Sequence, residues 1–295
     1  MSLPTNSIIN FVGKLITSVN NLEARQALFD SYNDTRNSLI TIQNFFIDFT
    51  SQQWSKKAIR IFFRNWRSPG FGAASFCALS FRLLKLADQT SNLEIKNLLY
   101  RCATRISEIS HEDVGIGTMN HQELYEKFAL KISGDDEWKL DKYFISGIKD
   151  FLSDSRLYRQ NGDDLSYAIM LSLPEELYNY GEFSFIGSLF IQWHRDILKM
   201  SSENRKSDLH FIYDHLGTTE SRHFSSIVQA FEDYCILANI KPDWVLLYQF
   251  NKNFIEKMAI YFENLMSAML GERTTKSVDK QHIISSPFTA AVIPA

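Results

Sequence analysis

The sequence predicts an all-α protein, a compact helical bundle, and three observations carry that expectation. Among 295 residues only 12 are Gly and 6 are Pro, so few positions interrupt a helix. Apolar residues return every three or four positions over long stretches, as the buried stripe of a helix requires. No run alternates apolar and polar residues in the manner of a strand. Hydrophobic residues make up 45% of the chain and Phe alone numbers 23, which is enough apolar material for a large core. No composition shift, internal repeat or low-complexity segment marks a linker, so residues 1–295 read as one domain.

The elements follow in order. NLEARQALFDSYNDTRNSLITIQNFFIDFTSQQWSKKAIRIFFRNW carries the helical stripe, and RSPGFG punctuates it, Ser68-Pro69-Gly70 being a turn signal. AASFCALSFRLLKLADQT is a strongly apolar helix whose small residues permit close packing. NLEIKNLLYRCATRISEISHEDVG is a further helix, ended by Gly115 and Gly117. In NHQELYEKFALKIS, Asn120 is placed to cap and Glu123 stands three residues later, as in a capping box. EWKLDKYFISGIKDFLSDS and DDLSYAIMLSLPEELYNYGEFSFIGSLFIQWHRDILK supply more helix, and MSSENRKSD reads as a polar loop. FSSIVQAFEDYCILAN and PDWVLLYQFNKNFIEKMAIYFENLMSAML close the body at Gly271. The tail of about residues 272–295, with Pro287, Val292, Ile293 and Pro294, is loop-like and is expected to dock on the body or on a partner chain.

Bulk properties narrow the function. The 31 basic and 34 acidic residues are well mixed and the net charge is -3, so no basic face invites nucleic acid. Cys77, Cys102 and Cys235 are far apart and form no C-x-x-C, which argues against a disulfide scaffold or a zinc ribbon and for the cytoplasm. The N-terminal MSLPTNSIINFVGKLITSVNN has no basic region ahead of its apolar part and is a poor signal peptide. No uncharged apolar run reaches about 18 residues, so no membrane span is expected. The aromatic load is high for one core, which leaves room for a homodimer.

Three segments carry candidate chemistry. In HLGTTESRHF, Glu220 and His223 fall about 60° apart on a regular helix, whereas His215 lies about 140° from Glu220. A π-bulge at Gly217-Thr218-Thr219 would rotate His215 onto the shared face; otherwise these are polar groups at a helix end. In SEISHEDVGIGTMNHQELYEKFA, Glu108, His111 and Glu112 share one helical face and His121 begins the next helix. Carboxylate with imidazole suits iron or manganese, and a solvated helix end is the plainer alternative. In LSLPEELYNYGEFSF, Glu175, Glu176 and Glu182 lie in an otherwise apolar helix. Ser172 and Glu175 have capping-box spacing, while Glu176 beside Leu173, Leu177 and Phe183 needs a partner or a cation if it is buried.

The order of these segments resembles the haem-oxygenase-like superfamily, in particular its CADD-like, non-haem di-iron branch, related in fold to TenA and PqqC. The resemblance runs over about residues 90–235: Glu112, a Gly-x-Gly loop, N-His121-x-x-Leu-Tyr-x-x-Phe-Ala, a middle-helix Glu, then His-x(4)-Glu-x-x-His. The late motif has one residue more between His215 and Glu220 than the family pattern, and Glu where Asp is usual. The resemblance implies metal ligands Glu112, His121, Glu176, His215, Glu220 and His223, with Glu108 as the alternative first carboxylate. It implies two iron ions, or one, with manganese as an alternative to iron, and O2 as co-substrate in oxidation of a small organic metabolite. It equally admits a cofactor-independent PqqC- or TenA-like enzyme, with His and Glu as proton donors and acceptors. A non-enzymatic helical interaction protein is the third reading.

Overall fold

The computed structural model describes residues 7–66, 72–116, 119–145 and 149–271, with 149–154 described through their backbone alone. The turn expected at Ser68-Pro69-Gly70, Gly117 and the tail from residue 272 lie outside these residues. Every regular element among the described residues is helical. None of these helices is long and apolar enough to cross a membrane.

The chain opens with α1 (Ile8–Ile16), α2 (Leu22–Asp34), α3 (Arg36–Thr50) and α4 (Lys56–Asn65), followed by α5 (Ala73–Gln89), α6 (Leu93–Val114) and α7 (His121–Ser133). Then come α8 (Lys149–Asn161), α9 (Leu165–Met170), α10 (Leu173–Gln192), α11 (Arg205–Asp208), α12 (His210–Asp214), α13 (Thr219–Leu237) and α14 (Trp244–Met269). Polar residues set many of the starts. Asn21, Ser55, Asn92, Asn120, Asp164 and Asp243 each accept a hydrogen bond from a backbone N–H of the first turn they precede. Asn120 caps α7 at 2.7 Å through the N–H of Glu123, whose own carboxylate turns to Lys127.

Helix α10 runs through the middle and packs against α1, α3, α13 and α14. That burial on all sides matches its sequence, which is apolar around most of its circumference. α6 lies between α5 and α13, and α14 crosses α2, α3 and α4. The Phe-rich composition resolves into one aromatic spine. Phe49 stacks on Phe62 at 4.0 Å, Phe62 meets Trp66 at 5.0 Å, and Trp66 stacks on Phe190 at 5.4 Å. The spine continues through Phe128 to Phe211, which meets the ring of His215 at 4.5 Å.

Two segments differ from expectation. EWKLDKYFISGIKDFLSDS is not one helix: Glu137–Lys139 and Asp141–Tyr143 form single 3₁₀ turns, and α8 begins only at Lys149. Tertiary bonds capture this stretch. Arg60 holds Asp135 at 2.5 Å, Glu137 at 2.8 Å and the Tyr143 hydroxyl at 3.0 Å. Asn65 takes the Tyr143 carbonyl and the Ile145 N–H, groups that a helix would have used itself. MSSENRKSD is only partly loop, because Arg205–Asp208 makes a helical turn. Asp208 is buried there between His194 Nε2 at 3.0 Å and Lys131 Nζ at 3.3 Å. His194 itself sits in a π-helical turn, Trp193–Ile197, that continues α10.

Phe62 is fully buried at the centre of the spine, with Phe45, Phe49, Phe63 and Trp66 around it. Phe62→Ala removes a whole ring from a close-packed site and is expected to lower the unfolding free energy by about 3–5 kcal/mol. Urea denaturation followed by circular dichroism measures the loss.

Candidate metal centre

Five helix ends converge on one cavity. The last turn of α6 brings Glu112 and Asp113, and the first residue of α7 is His121. The first turn of α10 brings Glu175 and Glu176. Asp214 ends α12 with His215 as its cap, and Glu220 and His223 lie in the first two turns of α13. The cavity they surround has a volume of about 40 Å³ and is lined also by Phe76, Ile109, Phe183 and Phe211.

Glu176, Glu220 and His223 are the tightest group. Each is buried and offers a ligand atom, and these atoms lie within 4.8 Å of one another. His223 Nδ1 is 3.4 Å from Glu176 Oε2, and His215 Nε2 is 3.9 Å from Glu220 Oε1. Donors at such spacings can share one ion whose bonds are roughly 2.0–2.2 Å. The remaining nitrogens of both rings have fixed roles. His215 Nδ1 meets the Phe211 carbonyl at 2.7 Å. A carbonyl only accepts, so Nδ1 carries a proton, and Nε2 is the ring nitrogen on the Glu220 side. Phe183 stacks on the same ring at 4.1 Å and fixes its plane. His223 Nε2 meets Glu112 Oε2 at 2.9 Å, which leaves Nδ1 toward Glu176. A carboxylate or carbonyl behind the imidazole is the usual support of a metal-binding histidine.

The six predicted ligands therefore take different places. Glu176, Glu220 and His223 come together, and His215 stands beside them. His121 is next to His215, with ring centroids 4.4 Å apart, but its nitrogens pair with Asp113 at 2.9 Å and Asp214 at 3.3 Å. Glu112 stands behind His223, shared with Arg222 at 2.7 Å, and is not among the described residues lining the cavity. The alternative carboxylate Glu108 is exposed and accepts from Ser226 at 3.3 Å. Asp113 and Asp214 are the residues that sequence reasoning missed. Each is the chain neighbour of a predicted ligand, and adjacent residues on a helix point about 100° apart.

Charge in the cavity is balanced internally. Burial opposes a positive His223, yet its hydrogen bonds to Glu112 and Glu176 outweigh that and push its pKa up to about 11. Burial likewise opposes a positive His121, but Asp113 and Asp214 raise it to about 9. Burial pushes the Glu176 carboxyl up, with His223 pulling it back. Glu112 is held below the usual carboxylate range, chiefly by its bond to His223.

The turn between α12 and α13 settles the geometry of HLGTTESRHF. It is a helix break, not a π-bulge: α12 stops at Asp214, Gly217 takes φ 106°, and α13 starts at Thr219. Leu216 is seated on Gly187 of α10, where an added Cβ would stand 2.7 Å from Leu216 Cδ2. Ser172 does not cap α10 through its side chain; its hydroxyl donates to the Ala168 carbonyl. Glu175 is held by Arg159 at 2.9 Å, and Glu182 by the Trp66 indole at 3.0 Å and the Tyr178 hydroxyl.

No protein-family model, curated protein or solved structure matches this chain.

Gly187→Ala puts a methyl group 2.7 Å from Leu216 Cδ2, so the side chain next to His215 has to shift off α10. The expected outcome is an unchanged circular dichroism spectrum with divalent-metal affinity lowered on the order of tenfold, as for other losses of ligand support. Titration of Mn(II) against both proteins measures it.

Proposed function

We propose that this chain is a non-haem iron oxidase or oxygenase of the haem-oxygenase-like type, acting with O2 on a small organic metabolite. The observation that carries this reading is the buried convergence of Glu176, Glu220 and His223, with His215 Nε2 3.9 Å from Glu220 alongside. Carboxylates with imidazoles, and no thiolate among the described lining residues, are a donor set suited to iron or manganese. Helix bundles build such sites from side chains on separate helices, as here. Glu176, His215, Glu220 and His223 would hold one ion, and a second would draw on His121 with Asp113 or Asp214. Bound ferrous iron supplies electron transfer to O2, which no side chain in the cavity can provide.

The protein's own contribution is placement and exclusion. Glu112 and the Phe211 carbonyl fix which imidazole nitrogen faces the cavity. Phe76, Phe183 and Phe211 supply the apolar part of the cavity wall. The volume of about 40 Å³ holds an ion and one or two water-sized ligands, so only the reacting end of a substrate enters this space.

One observation favours a second reading. His121 and His223 already form carboxylate–imidazole pairs that hold protons. These would serve a metal-free acid–base enzyme of the PqqC or TenA kind.

Anaerobic titration of metal-free protein with ferrous iron separates the two. Stoichiometric binding with an O2-dependent absorbance change is expected for the wild type and lost in His223→Ala. Glu112→Gln is expected to weaken binding by about 10–100-fold, because it removes the support and not the ligand. Absence of stoichiometric binding to the folded wild type would overturn the iron reading and leave the acid–base one.

A further inference from the structure

The consecutive carboxylates that open α10 have different partners. Glu176 meets His223, whereas Glu175 meets α8. Arg159 Nη1 donates to Glu175 at 2.9 Å, and Arg156 Nη2 stands 4.0 Å from the same carboxylate. Two guanidiniums thus face Glu175 at the wall of the cavity. Arg159 is fully buried. Its Nε donates to Ser75 Oγ at 2.9 Å, and its plane lies over Phe76 at 4.5 Å. Its Nη2 has no acceptor and lies 3.6 Å from where a Cβ on cavity-lining Gly72 would stand.

Arg156 is the second arginine short of acceptors. Its Nε and Nη2 are both shut from solvent and both without an acceptor. These two nitrogens form one edge of the guanidinium. Their parallel N–H groups match the two oxygens of a carboxylate. Buried donors without acceptors destabilise a fold, and native proteins keep few of them without a reason. The cavity's own carboxylates are engaged elsewhere: Glu176 with His223, Asp113 with His121. They also make that part of the cavity hostile to an anion, so a carboxylate is attracted only toward Arg156, which stands behind the lining residue Glu175. A doubly charged, tetrahedral phosphate would meet more repulsion and asks for more donors than this edge provides.

We propose that Arg156, with Arg159 behind it, anchors the carboxylate of a small organic substrate whose other end reaches the metal-binding cavity. The substrate assignment rests on the oxygenase reading above; the anion site itself does not.

Isothermal titration calorimetry with butanoate, benzoate, butanamide and inorganic phosphate tests the site. It is done on metal-free and on Mn(II)-loaded wild type, Arg156→Met and Arg156→Lys. Butanoate or benzoate is expected to bind metal-free wild type, with butanamide at least tenfold weaker. Arg156→Met should weaken the carboxylate at least tenfold, and Arg156→Lys should recover part of the loss. Arg156→Met is expected to stay folded, because Arg159 still holds Glu175 at 2.9 Å. The proposal is overturned by carboxylate binding that Arg156→Met leaves unchanged, by equal binding of the amide, by Arg156-dependent binding of phosphate alone, or by no carboxylate binding at all. Arg156-dependent carboxylate binding without metal loading would keep the anion site and remove the oxygenase reading. Metal loading without Arg156-dependent binding would do the reverse.

Discussion

Helix α10 buries three carboxylates, and the rest of the molecule is arranged around the need to neutralise them. An unpartnered buried charge is among the costliest features a fold can carry. Each carboxylate is met from a different direction. Glu182 is bound by Trp66, just past the end of α4, and by Tyr178 on its own helix. Glu175 is bound by Arg159 of α8, and Glu176 by His223 of α13. The central helix is therefore fastened to the outer ones by charge as well as by packing. One of these fastenings is an imidazole that also faces a second carboxylate, and there the structural network becomes a candidate site.

The turn between α12 and α13 shows how packing sets that site. His-x(4)-Glu-x-x-His cannot place all three side chains on one face of a continuous helix. A bulge would have kept the helix and stored the extra residue within it. The chain breaks instead, with Gly217 in a backbone conformation that disfavours a side chain. Leu216 then packs on Gly187, and the break becomes a fixed point against the central helix. The π turn lies elsewhere, at Trp193–Ile197, where it buries His194 against Asp208.

Much of the fold was legible in the sequence because helices announce themselves by local signals. The 3.6-residue periodicity, the Asn120 cap and the stop at Gly271 depend on neighbours in the chain. The segment 137–143 was not legible, because bonds from distant Arg60 and Asn65 decide it. In the site, the pattern of His and Glu placed Glu176, Glu220 and His223 in one list, and they share one cavity. It did not separate Glu112 from Asp113, since a rotation of one residue decides which lines the cavity and which stands behind an imidazole. Arg156 and Arg159 gave no signal. Arginines toward the end of a polar helix read as solvated until a buried glutamate is found opposite them.

Two imidazolium protons and one divalent cation carry the same charge, so the same wall of carboxylates balances either. Electrostatics alone therefore does not choose between a metal-free acid–base site and a metal centre. His215 weighs on the choice. A proton shuttle gains from an imidazole that bonds a carboxylate directly, as His121 and His223 do. In His215, Nδ1 is committed to a backbone carbonyl instead, and Nε2 stands 3.9 Å from Glu220. A ring held by the Phe211 carbonyl, stacked by Phe183 and set beside two buried carboxylates, has the kind of support on which the proposed metal site relies. That asymmetry among three histidines of one cavity is the strongest physical argument for the metal.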